Sequence, residues 1–363
     1  MRKLQDLPPR WARFCLEIQL FMEELLGKSI KGGKFLLAFS GGPDSLALLR
    51  VLGFIRPRAG IDVSAVHLNH MLRTEADDEK DFVLKICAGL GVPVIHGKSD
   101  VSSFARIRNI GIEEAARIIR YRFAGSAAAR QKADYILTGH HLNDLAEDVL
   151  MRLARGAGWP GLSGMTGFDP ERKLVRPFLL TPKKTILDFL AAINQEYMVD
   201  KSNADKSFLR NKVRLRIVPR FEEINPDFLK SVANLWRLGR IDEDHWECIL
   251  RTTPGTDREE GKYFFPETLE PLSRATRLRL YKNMLDELGP GQALFENLLE
   301  LDQLWLRGSG NKRVLFPGNK FARILKRGIM FGLNEAGPRD NGKRTRESVD
   351  NGSGDEKDNH KKG

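Results

Sequence analysis

Four short segments of the chain carry residue types at spacings that chemistry can use. Ser40-Gly41-Gly42-Pro43-Asp44-Ser45 follows an apolar run and opens a helical pattern. That is the setting in which backbone N–H groups and a helix N-terminus cradle phosphate. The glycines allow close approach, Pro43 suits a first helical turn, and Asp44 would repel phosphate unless a cation such as Mg²⁺ stood between them. A Ser/Asp cap after a glycine turn would read the same way. In Gly139–Glu147 (GHHLNDLAE), His140, Asp144 and Glu147 fall at i, i+4 and i+7, which predicts one side of a helix. A histidine and two carboxylates there suit metal binding, amine orientation and proton transfer, with Asp44 and Asp144 as the metal-ligand candidates. His67–Arg73 (HLNHMLR), which includes Asn69, ends a predicted strand. In Glu113–Phe123 (EEAARIIRYRF), Arg117 and Arg120 lie three apart, so two guanidiniums share a face and could grip phosphate. A plain basic helix face would look alike.

Alternating elements must position these segments. Helical periodicity covers residues 11–27, and then strands and helices alternate. The predicted strands are Phe35–Phe39, Val63–Leu68, Val92–His96 and Tyr135–Thr138. The predicted helices are Leu46–Ile55, Ala76–Leu90, Glu113–Gln131 and Leu142–Ala154. This pattern predicts an α/β fold with a doubly wound, mostly parallel sheet, the ligand edge lying at the strand carboxyl ends. Residues 156–170, rich in Gly and Pro, read as a mobile loop, and Lys183–Ile193 as one further helix. Beyond about residue 206 the alternation stops. Residues 207–250 and 267–307 read as mainly helical, and Val314–Phe316 with Phe321–Leu333 as a hairpin. The expected division is an N-terminal helix (1–30), an α/β domain (31–215), a smaller, mainly helical domain (216–335) and a tail (336–363) too polar to order itself.

The loop SGGPDS resembles the SGGxDS pyrophosphate loop of the N-type ATP pyrophosphatases. Within that superfamily, HLNHMLR resembles an HxNHxLR segment, EEAARIIRY an EEAARxxRY helix, and GHHLNDLAE a GHHxDDxAE segment of the tRNA(Ile)-lysidine synthase family. Arg155–Met165, Arg176-Pro177, Asp200–Asn203 and Arg210–Arg214 resemble further segments in the same order, over roughly residues 34–225. Val314–Gly318 resembles the family's LxLPGG hairpin. The chain departs from the pattern at Asn143, Leu145 and Asp148, where the family usually has Asp, Gln and Thr. The resemblance implies an adenine nucleotide alpha hydrolase-like fold, with ATP and Mg²⁺ as cofactors. It implies as partners free L-lysine and a tRNA(Ile) with a CAU anticodon. It assigns nucleotide binding to Ser40, Gly41, Gly42, Pro43, Asp44, Ser45, Asn69 and Arg117, catalysis to His140, Asp144, Glu147 and Arg210, and metal binding to Asp44 and Asp144.

Composition agrees with a polyanionic partner. The net charge is +11, and residues 172–220 hold twelve Lys or Arg against four Asp or Glu. Such a surface draws RNA through phosphate contacts. Trp159 and Trp236 could stack on bases or simply pack. No apolar run reaches membrane-helix length and no signal peptide is evident, so the expected location is the cytoplasm. Three scattered cysteines argue against a disulfide framework or a Cys-based zinc site. The oligomeric state, a homodimer included, is left open. Two other readings remain: a thiolating enzyme built on the same loop, and a non-catalytic RNA-binding relative.

Overall fold

The structure is a computed structural model that describes residues 3–69, 71, 76–198, 209–253, 255–258 and 261–334. The predicted tail, Asp200–Asn203, His70, Leu72 and Arg73 lie outside the described residues. The chain divides into two compact units, residues 1–248 and 249–363. That division falls inside one amphipathic helix, α10 (Phe228–Arg251), whose Val232, Ala233 and Trp236 belong to the core of the first unit.

The first unit is built on a six-stranded sheet in the order β3-β2-β1-β4-β6-β5. Its strands are β1 (Lys34–Ala38), β2 (Asp62–Asn69), β3 (Val94–Lys98), β4 (Tyr135–Leu137), β5 (Phe168–Asp169) and β6 (Leu174–Val175). All neighbours are parallel except β5 against β6. Central β1 pairs on both edges and is apolar on both faces, as a strand covered by helices on each side must be. Phe35, Leu37 and Phe39 enter a core with α1 (Pro9–Leu26), α2 (Pro43–Ala59), α3 (Ala76–Leu90) and α7 (Lys183–Ala192). Leu36 enters the opposite layer with Ala124 and Ala127 of α5 (Ile112–Gln131). The short helix α4 (Val101–Arg108), invisible to the periodicity reading, packs on α5 through Val101 and Ala105.

α6 (Leu142–Ala154) follows β4, and its apolar stripe Leu142, Leu145, Ala146 and Val149 meets α10. A helical run then follows over residues 209–224: α8 (Leu209–Lys212), a π-helical turn at Val213–Ile217, and α9 (Val218–Ile224). Pro219 has no N–H to return to the preceding turn, which is a physical reason for the ladder to widen there. The Gly-rich stretch expected to be a mobile loop is tied to α10 instead. Trp159 Nε1 donates to Asp242 at 2.5 Å, Arg240 to Ser163 Oγ at 2.9 Å, and Trp236 Nε1 to the Met165 carbonyl at 2.9 Å. Gly239 permits this approach, because a Cβ there would stand 2.3 Å from the Ser163 side chain. Trp236 is thus a packing residue, 3% exposed.

The second unit combines α11 (Pro266–Leu269), α12 (Arg274–Glu287) and α13 (Phe295–Leu306) with an antiparallel sheet in the order β7-β8-β11-β10-β9. These strands are β7 (Thr256–Arg258), β8 (Gly261–Phe264), β9 (Arg313–Phe316), β10 (Lys320–Leu325) and β11 (Gly328–Leu333). The expected hairpin is therefore three strands, because the chain turns again before Gly328. The β7–β8 pair adds two more. A buried bidentate pair, Arg277 Nε and Nη2 with Asp302 at 2.7 and 3.2 Å, clamps α12 to α13.

Candidate active site

The phosphate-loop residues sit where topology favours a ligand. The chain leaves β1 toward β2 on one side and toward β4 on the other, so a crevice opens at the carboxyl ends of β1 and β4. A cavity of about 410 Å³ occupies that edge. Ser40, Gly42, Asp44 and Ser45 line one part of it, Thr138, Gly139 and His140 another, and Val66, Leu68, Phe123 and Ala124 give an apolar wall. The loop is held by its own serines: Ser45 Oγ accepts from the Ser40 N–H at 3.2 Å and donates to the Gly42 carbonyl at 3.1 Å. Gly41 takes φ +86°, which favours glycine. Gly42 caps α2 and Pro43 starts it, aiming the helix N-terminus at the cavity. Gly139 is needed for another reason. A Cβ there would lie 3.0 Å from the Asp44 carbonyl carbon and the Ser45 nitrogen, so any side chain would push β4 and the start of α2 apart by a few tenths of an ångström.

Asp144 and Glu147 project from the first two turns of α6 and are nearly buried, Glu147 at 1%. His140, expected on the same helix face, precedes the helix instead. α6 begins at Leu142 with His141 as its cap. His141 Nδ1 accepts the Asp144 N–H at 3.4 Å, and Asp144 Oδ2 accepts the His141 N–H at 3.0 Å, which makes a reciprocal capping box. With Nδ1 accepting, Nε2 stands 3.4 Å from Asp144 Oδ2 and 3.7 Å from Asp44 Oδ1. This histidine bridges the two aspartates, and the i, i+4, i+7 spacing does not single it out.

The helical run 209–224 delivers two guanidiniums to the carboxylates. Arg210 Nε donates to Glu147 Oε2 at 2.8 Å and its Nη2 to Asp144 Oδ1 at 3.2 Å. Arg214 Nε donates to Glu147 Oε1 at 2.6 Å, and its Nη2 to Asp144 Oδ1 at 3.1 Å. Burial alone would raise the Asp144 carboxyl; His141 and Arg210 outweigh it and hold it well below the usual carboxylate range. His140 goes the other way. Desolvation lowers its ring to about 3, with Arg176, Arg210 and Arg120 pushing the same way against Asp144. It is a neutral imidazole at neutral pH, with Nδ1 bonded to Thr138 Oγ1 at 2.8 Å.

Lys183, at the start of α7, ion-pairs with Asp44 across 139 positions of sequence, a distance no local motif can reveal. Asn143 Oδ1 accepts the Lys183 N–H at 2.9 Å at the start of α7, a bond an aspartate would also accept, so the contact does not account for the departure from the family pattern. Leu145 is fully buried against α10, and Asp148 pairs with Arg152. Of the other expected residues, Asn69 accepts the Met71 N–H at 2.8 Å. Arg117 is exposed and lies 5.6 Å over the Tyr121 ring; its neighbour Arg120, not Arg117, lines the cavity.

A parallel sheet whose switch-point crevice carries an SGGxDS cradle defines a nucleotide-binding enzyme fold of the PP-loop class, and the PP-loop domain model matches residues 15–221. The chain is 40% identical over 324 residues to the tRNA(Ile)-lysidine synthase of Nitratidesulfovibrio vulgaris, covering 84% of this chain and 93% of that one. It is 33% identical over 283 residues to the synthase of Petrotoga mobilis, covering 78% and 83%. Among solved structures, the U34-tRNA thiolase NcsA from Methanococcus maripaludis, with its [4Fe-4S] cluster, shares the fold: TM-score 0.52, 18% identity, 69% of this chain and 82% of that chain. The chain belongs to the tRNA(Ile)-lysidine synthase family of ATP-using PP-loop enzymes.

Proposed function

We propose that the protein ligates free L-lysine to C2 of the wobble cytidine in a CAU-anticodon tRNA(Ile), consuming ATP to AMP and pyrophosphate. Cytidine O2 attacks the α-phosphorus and pyrophosphate leaves. The lysine ε-amine then attacks C2, AMP leaves with the bonding pair, and the amine gives up a proton. The product base pairs with A, so the tRNA reads AUA instead of AUG.

The carrying observation is the meeting of two unlike subsites at one sheet edge. The Ser40–Ser45 cradle offers N–H and hydroxyl donors to the departing pyrophosphate. Lys183 adds a positive charge beside Asp44. The second subsite is the Asp144–Glu147 pair, which holds cationic nitrogen in this structure as two guanidiniums. An ammonium offers the same N–H donors, so substrate lysine would exchange with an arginine N–H there. Neutral His140 would hydrogen-bond a phosphate oxygen at the strand end, since burial and the nearby arginines oppose its taking a proton. Arg210 would turn from the carboxylates toward the phosphate or the cytidine.

Mg²⁺ fits Asp44 best. Lys183 holds its Oδ1, while Oδ2 has no ion-pair partner among the described residues, and one carboxylate with phosphate oxygens is an ordinary Mg²⁺ donor set. Asp144 joins only if the arginines release its Oδ1. When bound, the ion would offset charge on the transferring phosphate. Thiolation is disfavoured by the thiols themselves. Burial pushes Cys15 up to about 12 and Cys87 up to about 11, and Cys248 stands alone on α10. Product release tests the order of steps. Pyrophosphate should appear with ATP and tRNA alone, and AMP only once lysine is added. Pyrophosphate release independent of tRNA would contradict it.

A further inference from the structure

A second basic surface adjoins the cavity, outside the 172–220 region. α4 and α5 form a helical hairpin that packs through Val101, Ala105, Ala115 and Ile119. Six exposed arginines lie on it: Arg106, Arg108, Arg117, Arg120 and Arg122, with Arg130 at the far end of α5. None forms an ion pair with a described carboxylate. Arg108 and Arg122 flank the Phe104 ring at 5.8 and 5.9 Å, and Arg117 lies over Tyr121. Stacking of this kind holds a guanidinium plane while leaving its N–H edge free for an outside acceptor.

The hairpin is also in the right place. α5 runs antiparallel to the strand it feeds, so its N-terminus points to the carboxyl edge of the sheet. Arg120, Tyr121, Phe123 and Ala124 already line the cavity at that edge. The residues before them, 112–119, therefore project about 12 Å beyond it at 1.5 Å per residue. We infer that the α4–α5 hairpin is a rail for the phosphodiester backbone of the anticodon loop, holding the RNA while its wobble nucleotide enters the cavity. This rests on the tRNA reading above. Three of its guanidiniums, on Arg108, Arg117 and Arg122, rest against rings, guanidiniums match phosphate oxygens bidentately, and the only acidic residues on α4 and α5 are Glu113 and Glu114.

The test compares the full-length wild-type chain with the pair Arg106→Gln/Arg108→Gln, the single Arg122→Gln, and Arg130→Gln at the far end of α5. Binding of tRNA is measured across a salt series, beside KM for ATP and the thermal midpoint. The pair should weaken tRNA binding several-fold and flatten the log–log salt dependence by about 0.7 for each phosphate left without its cation. KM for ATP and the midpoint should hold, and Arg130→Gln should match wild type. A wild type that makes AMP with tRNA and lysine, but whose hairpin variants bind tRNA with unchanged affinity and slope, overturns the rail alone. A wild type that makes no AMP overturns the parent reading instead.

Discussion

Asp144 serves two purposes with one carboxyl group: Oδ2 caps α6, and Oδ1 holds two arginines. Replacing Asp144 by alanine removes both, so the variant should lose lysine incorporation and some stability together. Asp144→Asn keeps a capping acceptor but turns its NH2 toward the two guanidiniums, so it should lose incorporation and recover only part of the stability that alanine loses. Glu147 makes a cleaner energetic case, because both of its oxygens face guanidiniums in a nearly closed site. Truncating Arg214 to alanine leaves that buried carboxylate half-paired. Urea unfolding should show a loss of roughly 2 kcal/mol, the usual cost of breaking a buried pair discounted for the partial exposure of Arg214. Arg214→Lys should recover little, since one ammonium cannot reproduce the forked contact. His140 sets a pH dependence. Its folded pKa lies below the unfolded one, so between about 3 and 6.5 the unfolded chain binds a proton that the folded chain refuses. Stability therefore rises with pH across that window and levels above it. His140→Asn should flatten the rise of the urea midpoint between pH 4.5 and 6.5. The sequence exposes Asp44, Asp144 and Glu147 because each sits in a local motif. Arg214 pairs with Glu147 from 67 positions away and Lys183 with Asp44 from 139, so spacing could not name either.

At the scale of elements, the site depends on β4 closing onto the start of α2 through Gly139. Alanine there meets backbone atoms at 3.0 Å, which cannot yield as a side chain can. Gly139→Ala should raise KM for ATP at least several-fold, while Gly125→Ala on the exposed surface of α5, where a Cβ meets nothing within 4 Å, should leave it unchanged. The alternation of strands and helices through residue 154 was legible because each element is long or strongly apolar. The two-residue strands β5 and β6 were not, since pairing of β6 with β4 and of β5 with β6, and not composition, creates them. α4 escaped notice for a related reason: it is eight residues long and buries only Val101 and Ala105. The loop 156–167 misled in the opposite sense. Its glycines read as freedom, yet they allow close packing, and α10 supplies the donors and acceptors that hold it. In the second unit, Phe321–Leu333 read as one arm of a hairpin because its apolar residues continue across the Lys326–Arg327 turn.

At the scale of the whole molecule, a chain of +11 charge meets a polyanion. Association with tRNA should weaken steeply with salt, whereas chemistry on bound tRNA, measured in single turnover, should change little. None of the helices among the described residues is long and apolar enough to cross a membrane. The order of motifs along the chain made the family legible, whereas net charge showed only that an anionic partner was expected. The most direct test of the account is incorporation of labelled lysine into an unmodified CAU-anticodon tRNA(Ile) transcript, with and without ATP, beside the methionine tRNA that carries the same anticodon. The account predicts ATP-dependent label on the wobble cytidine of the isoleucine tRNA alone. Pyrophosphate release with no lysine on that base would contradict it.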